Sequence, residues 1–205
     1  MSLSYARFSR LAAWGAAASG FLYAVAFIIV ARISSSSGAT LAGLFLLTGG
    51  VLASAVMVAL YASLREVDAL FAGWALLVGV VAALGSAVHG GYDLANGIHP
   101  PTATIPSLPG QVDPRGLLTF GITGIAIGTF AWLMSRSGAF PARLAYVGYL
   151  SAFLVEVLFI GRLVILDATN PVIVVAALLA GFVVNPAWYA WLAVALPAGG
   201  KSGAT

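Results

Sequence analysis

The sequence predicts an all-α, polytopic membrane bundle of six transmembrane helices, with both termini cytoplasmic and one long Pro-rich loop outside. Three observations predict it. Hydrophobic residues make up 61% of the chain and charged residues only 7%, whereas soluble globular domains are roughly 45–50% apolar. Mean hydropathy is +1.06. A helical span needs roughly 20 mainly apolar residues, and six such stretches fill most of the 205 residues. The chain therefore reads as a single transmembrane domain, 1–205, with no room for a soluble one.

The first span, 11–31, follows Arg7 and Arg10 as a signal peptide would. Its apolar run is too long for one, and Ala24-Val25-Ala26 leads into further apolar residues instead of a polar mature start. A flexible Ser-rich turn, 33–40, leads to the second span, 41–64, where Gly49 and Gly50 suit close helix packing. A tight turn, 65–68, opens the third span, 69–90.

Segment 92–116 carries Pro100, Pro101, Pro106, Pro109 and Pro114, which favour stiff, extended backbone. A segment this long without helix or strand pattern is functional or disordered. Its Ile98, Ile105, Leu108 and Val112 suit an ordered cover over the outer ends of the spans. The fourth span, 117–135, holds Gly121, Gly124 and Gly128, the last two in small-xxx-small spacing that serves packing within the chain. The fifth, 142–166, contains Glu156 and Arg162. The sixth, 171–196, is interrupted by Asn185-Pro186, where the missing N–H predicts a kink.

Basic residues set the orientation. With the N-terminus inside, the inner segments hold Arg7, Arg10, Arg65, Arg136, Arg143 and Lys201, and the outer ones Arg32, Arg115 and Arg162, a two-to-one bias. The five tryptophans, Trp14, Trp74, Trp132, Trp188 and Trp191, then fall toward the cytoplasmic interface like an aromatic belt. His89, Asp93, His99, Asp113 and Asp167 fall on the outer side.

Several function classes drop out. The chain has no cysteine, so disulfides, thiolate metal sites and thiol-pair redox chemistry are excluded. The net charge of +3 is scattered over span ends, which does not indicate nucleic acid. No glycine-rich phosphate loop or His-Glu-x-x-His helix is present. No cofactor can be assigned.

Six residues are candidate ligand-binding groups: Glu156, Arg162, His89, Asp93, Tyr92 and Asn96. Glu156 lies about 21 Å into the fifth span at roughly 1.5 Å per residue, where an ionisable group costs on the order of 2.5–3.5 kcal/mol and normally faces protein or water. Arg162 is six positions further on, on another helix face, and can snorkel outward to pair with Asp167 or Asp93. His89 and Asp93 share a face if the helix continues, although Gly90-Gly91 is expected to weaken or end it. Tyr92 and Asn96 complete the polar knot 89–96. A metal site would need further ligands near His89 and Asp93, with only Glu156 and His99 to supply them, so none is assigned.

Arg10-Leu-Ala-Ala-Trp-Gly15 and Arg143-Leu-Ala-Tyr-Val-Gly148, the knot 89–96 with Pro100-Pro101, Asp113-Pro114-Arg115-Gly116, and Asn185-Pro186-Ala187-Trp188 resemble motifs of a group of bacterial six-helix integral membrane proteins of the domain-of-unknown-function type. The resemblance implies a bacterial inner-membrane location and six spans. It transfers no catalytic residues.

The expected function is an outward-facing intramembrane site that binds or carries a small molecule or lipid. Glu156 would line it and the knot would cap it. One alternative is an accessory or scaffold subunit that docks on another membrane protein or a second copy. The other is an intramembrane metal-dependent enzyme using His89, Asp93 and Glu156. A mid-span carboxylate favours binding over scaffolding, and catalysis stands behind both.

Overall fold

The computed structural model describes residues 2–100, 116–165, 167 and 169–197. The proline-rich stretch 101–115, including Arg115, and the tail with Lys201 lie outside the described residues. So do the cover expected of Ile105, Leu108 and Val112.

Helices account for nearly all of the described chain, and no strand occurs among the described residues. α1 (Leu3–Ala24) passes through a π-helical turn (Val25–Val30) into the short α2 (Ala31–Ile33). α3 (Ser35–Leu64) and α4 (Ala69–Ile98) are the longest helices. A second π-turn (Leu117–Ile122) opens α5 (Thr123–Arg136), which is followed by α6 (Ala142–Val164). α7 (Pro171–Leu179), a third π-turn (Ala180–Val184) and α8 (Asn185–Ala195) form the last continuous rod. Five of these rods are long and apolar enough to cross a membrane: Leu3–Val30, Ser36–Leu64, Ala69–Ile98, Ala142–Val164 and Pro171–Ala195. Apolar side chains such as Leu77, Val88 and Phe153 point outward from them, as a lipid-facing surface requires.

Capping residues set the helix starts. The Asp68 carboxylate accepts from the amides of Leu70 and Phe71 at 3.1 Å, and Asn170 accepts from Val172 at 3.0 Å ahead of Pro171. Ser34 corrects the expectation of a flexible turn over 33–40. It alone leaves helical geometry, with φ −144° and ψ 108°, and its hydroxyl caps the next helix. The remaining serines are helical, and Thr40 bonds back to the Ser36 carbonyl at 2.8 Å.

Gly90-Gly91 does not end the third span either; α4 continues to Ile98. The reason is packing. A Cβ on Gly90 would run into the backbone of Gly43 and Leu47, and one on Gly50 into that of Ala83 and Ala87. Gly97 meets Thr40 in the same way. Positions 83, 90 and 97 on α4 and 43 and 50 on α3 recur every seven residues, the interval that keeps one stripe of a helix against its partner. The small residues let two backbones touch, and the helix runs on through its glycines.

The main core lies at one end of the bundle. Val56, Leu60 and Leu64 of α3, Phe130 and Leu133 of α5, Leu144 of α6 and Leu192 of α8 are all sealed there. Trp188 joins them at 0% exposure, edge-on to Tyr189 at 4.9 Å and against Gly148. That corrects its place in an interfacial belt: Trp14 and Trp74 are exposed as belt residues should be, whereas Trp188 is core. Pro186 lacks the N–H that a carbonyl one turn earlier would use, and the π-turn Ala180–Val184 precedes it directly. A wider turn re-aims such carbonyls.

Candidate functional site

Away from the main core the rods part around a cavity of about 680 Å³, within the roughly 300–1,000 Å³ typical of small-molecule sites. Its deep end abuts the core at Ala53, Met57, Ala126 and Ile127, and its middle is walled by Ala16, Gly20, Gly49, Gly50, Ala82 and Ala83. Glycine and alanine make the space, because each removes side-chain volume where the helices would otherwise meet.

All three π-turns face this cavity. Phe27 and Ile28 come from the first, Thr119 and Phe120 from the second, Ala180 and Gly181 from the third. A π-turn holds one more residue per turn than its helix, bulges the backbone and is frequent at functional sites.

The mouth carries the charge. Arg32 ends α2, Arg162 lies in the last turn of α6, and Asp167 follows it. The Arg162 guanidinium carbon stands 6.0 Å from the centre of the Phe120 ring, within reach of a cation–π attraction. Among the described residues no ion pair joins Arg32 or Arg162 to an acid, so the expected Arg162–Asp167 pair does not form. Asp167 is engaged elsewhere: its Oδ1 accepts from the Thr169 hydroxyl at 2.7 Å and the Thr169 amide at 2.8 Å. Those two donors hold its carboxyl below the ordinary aspartate range, the hydroxyl contributing most.

Further in, Tyr23, Ser86, Thr123, Asn185 and Tyr189 supply sparse polar groups. Asn185 is oriented by the fully buried Ser151, whose hydroxyl donates to Asn185 Oδ1 at 2.5 Å. With its carbonyl oxygen engaged, the Asn185 amide group is left to present N–H donors.

His89 stands behind the wall. Its Nε2 lies 3.3 Å from Asp93 Oδ2, the i,i+4 pair that the continuing helix permits. Its Nδ1 lies 3.3 Å from Thr119 Oγ1. An imidazole donating Nε2–H to the carboxylate accepts the threonine hydroxyl through Nδ1. Asp93, His89 and the cavity-lining Thr119 thus form a chain from α4 to the second π-turn. Asp93 and Asn96 border a separate cleft of about 230 Å³ with Ser36, Ala39, Gly97 and Pro100, and Tyr92 is exposed on α4. Among the described residues no group of three or more metal-ligating side chains assembles.

Glu156 does not lie on the cavity wall. It is half-buried in the seam between α5 and α6, filling the space that Gly124 leaves open. Its Oε1 is buried and meets the geometry of a hydrogen bond with none of the described residues. The glycine stripe of the fourth apolar segment faces this seam throughout: Gly121 meets Phe159, Gly124 meets Glu156 and Gly128 meets Ala152.

Comparisons with protein families, with curated proteins and with solved structures found no match.

Of the six sequence candidates, only Arg162 reaches the large cavity; His89 touches its wall through Thr119. Sequence reasoning missed Arg32, Tyr23, Thr119, Asn185 and Tyr189 as lining residues. One signal was present. Arg32 and Arg162 are two of the three basic residues that run against the positive-inside count.

Proposed function

We propose that the protein is a multi-pass membrane protein of the bacterial inner membrane that binds or carries a small molecule or lipid in this cavity. Both termini are cytoplasmic in this reading, and the mouth with Arg32 and Arg162 opens outward. The observation that carries it is the cavity itself: an apolar body, a charged mouth and all three π-turns on one space. A positive charge on the outer side opposes the usual bias, and a ligand at the mouth gives those arginines a purpose. In this reading His89 backs the wall through Thr119, Asp93 and Asn96 belong to the neighbouring cleft, and Glu156 is a packing group in the α5–α6 seam.

The test fills the space. Ala53→Phe and Ala177→Phe project bulk into the cavity from different helices. Purified in a mild non-ionic detergent, wild-type protein is expected to bind a solvatochromic acyl fluorophore, and both variants to lose it while keeping their melting temperatures. Folded variants that bind as wild type does would sink the proposal.

The Asp93–His89–Thr119 chain favours a second reading, an intramembrane enzyme. A hydroxyl accepted by an oriented imidazole is the arrangement that activates nucleophiles. Labelling of Thr119 by a hydroxyl-directed electrophile, lost in His89→Gln, supports this; absence of labelling in wild type rejects it.

A further inference from the structure

We propose that the cavity selects an amphiphile with an anionic oxyanion headgroup, its chain in the cavity body and its head between Arg32 and Arg162. This rests on the binding reading above.

Among the described residues, basic groups outnumber acids on the cavity wall. Two guanidiniums face one carboxylate on the described wall; that carboxylate is held in its own turn by the Thr169 bonds of 2.7 and 2.8 Å, and Asp93, within electrostatic reach of Tyr23, is engaged by His89 at 3.3 Å. Neither arginine has an ion-pair partner among the described residues. Both guanidiniums are exposed at the opening, where an incoming headgroup can reach them. The planar guanidinium fork matches a carboxylate or phosphate through paired N–H donors. The Phe120 ring at 6.0 Å holds Arg162 at the mouth without consuming its donors. Tyr23, on the same wall and within electrostatic reach of Arg162, adds a hydroxyl.

The rest of the wall rejects a small free anion. Leu46, Met57, Ile127, Leu158 and Ile173 present hydrocarbon that an inorganic ion leaves uncovered, whereas an acyl or prenyl chain buries it at about 25 cal/mol per Å². A cationic head is repelled by both arginines.

The experiment compares heads on one chain. Protein in non-ionic detergent is titrated with palmitate, hexadecyl phosphate, the matching alcohol, the matching trimethylammonium and inorganic phosphate, with binding read by native mass spectrometry. The two anionic amphiphiles are expected to bind at least about tenfold tighter than the alcohol, as charged hydrogen bonds imply. Inorganic phosphate is expected to compete with neither. Combining Arg32→Gln and Arg162→Gln should reduce both anions to the level of the alcohol while leaving alcohol binding in place. Arg32→Lys with Arg162→Lys keeps the charge and should retain part of the preference. Equal binding of anion and alcohol by wild type overturns the proposal, as does a preference that survives the double glutamine variant or tighter binding of the cation. Inorganic phosphate matching hexadecyl phosphate overturns the amphiphile assignment. If no chain-bearing compound binds at all, the binding reading itself has failed, a result distinct from loss of head selectivity.

Discussion

The Glu156 carboxyl of α6 occupies the space left by the missing side chain of Gly124 on α5. The two residues are one packing unit, so neither should be altered alone without effect. Gly124→Val should destabilise the protein by about 1–3 kcal/mol, the usual range for overpacking. Glu156→Ala in the same chain should recover much of that loss. Denaturant unfolding in mixed micelles checks it, and strictly additive losses would argue that the contact is unimportant.

Glu156→Gln separates seam from site. The side chain has nearly the same shape, and an unpartnered buried oxygen is less costly when the group is neutral. Stability should hold or rise, with acyl-fluorophore binding unchanged. Loss of binding in a folded Glu156→Gln protein would place this residue back in the ligand's path.

Glycines that permit backbone contact should behave differently from those in open space. Gly90→Val forces α4 away from Gly43 and Leu47 and should cost about 3 kcal/mol or more, at the top of the overpacking range. Gly73, also in α4, has nothing within 4 Å of the added carbon. There Gly→Ala should stabilise by about 0.5–1 kcal/mol through helix propensity. Melting temperatures shifting in the same direction for both would refute the contrast.

His89 fastens the second π-turn to α4. Replacing it with Phe removes the contacts to Thr119 and Asp93 and should cost on the order of 1–3 kcal/mol. Hydrogen exchange should rise locally over Leu117–Ile122 before it rises in the core. Uniform protection loss across the bundle would instead indicate a global role.

Asp167 gives a pH signature of defined sign. Its folded-state value is depressed by Thr169, so its contribution is present above the ordinary aspartate range and lost as pH falls through the depressed value. Thr169→Ala removes the hydroxyl that contributes most. An isotope-labelled Asp167 carboxyl followed by NMR should then titrate at a higher pH than in wild type; an unchanged midpoint would exclude the hydroxyl as the cause.

The helices were legible because each span must be long and apolar, a demand that sequence states directly. Their ends were less so. The serine run and Gly90 read as breakers in isolation; Ser34 alone leaves the helix and caps the next one, and a backbone contact with Gly43 keeps Gly90 inside α4. The site was harder still. Position along a span follows from counting, but facing does not, so the sequence left open whether Glu156 meets a cavity or a packed helix, and the structure packs it against Gly124. Arg162 reached the mouth and Arg32 joined it because α2 and α6 end at the same level, a relation that appears only when the rods are assembled.

Each π-turn carries one surplus residue and absorbs it within the turn, so the helix beyond keeps the phase of the helix before. Deleting a single residue from Ala180–Val184 would let the last rod run as an ordinary helix with α8 close to its present phase, whereas a deletion within α7 has no such outlet and would swing α8 by about 100°. Three rods of this bundle thus carry their spare residue as slack taken up beside the cavity, where a backbone can widen without disturbing the register that seals the core.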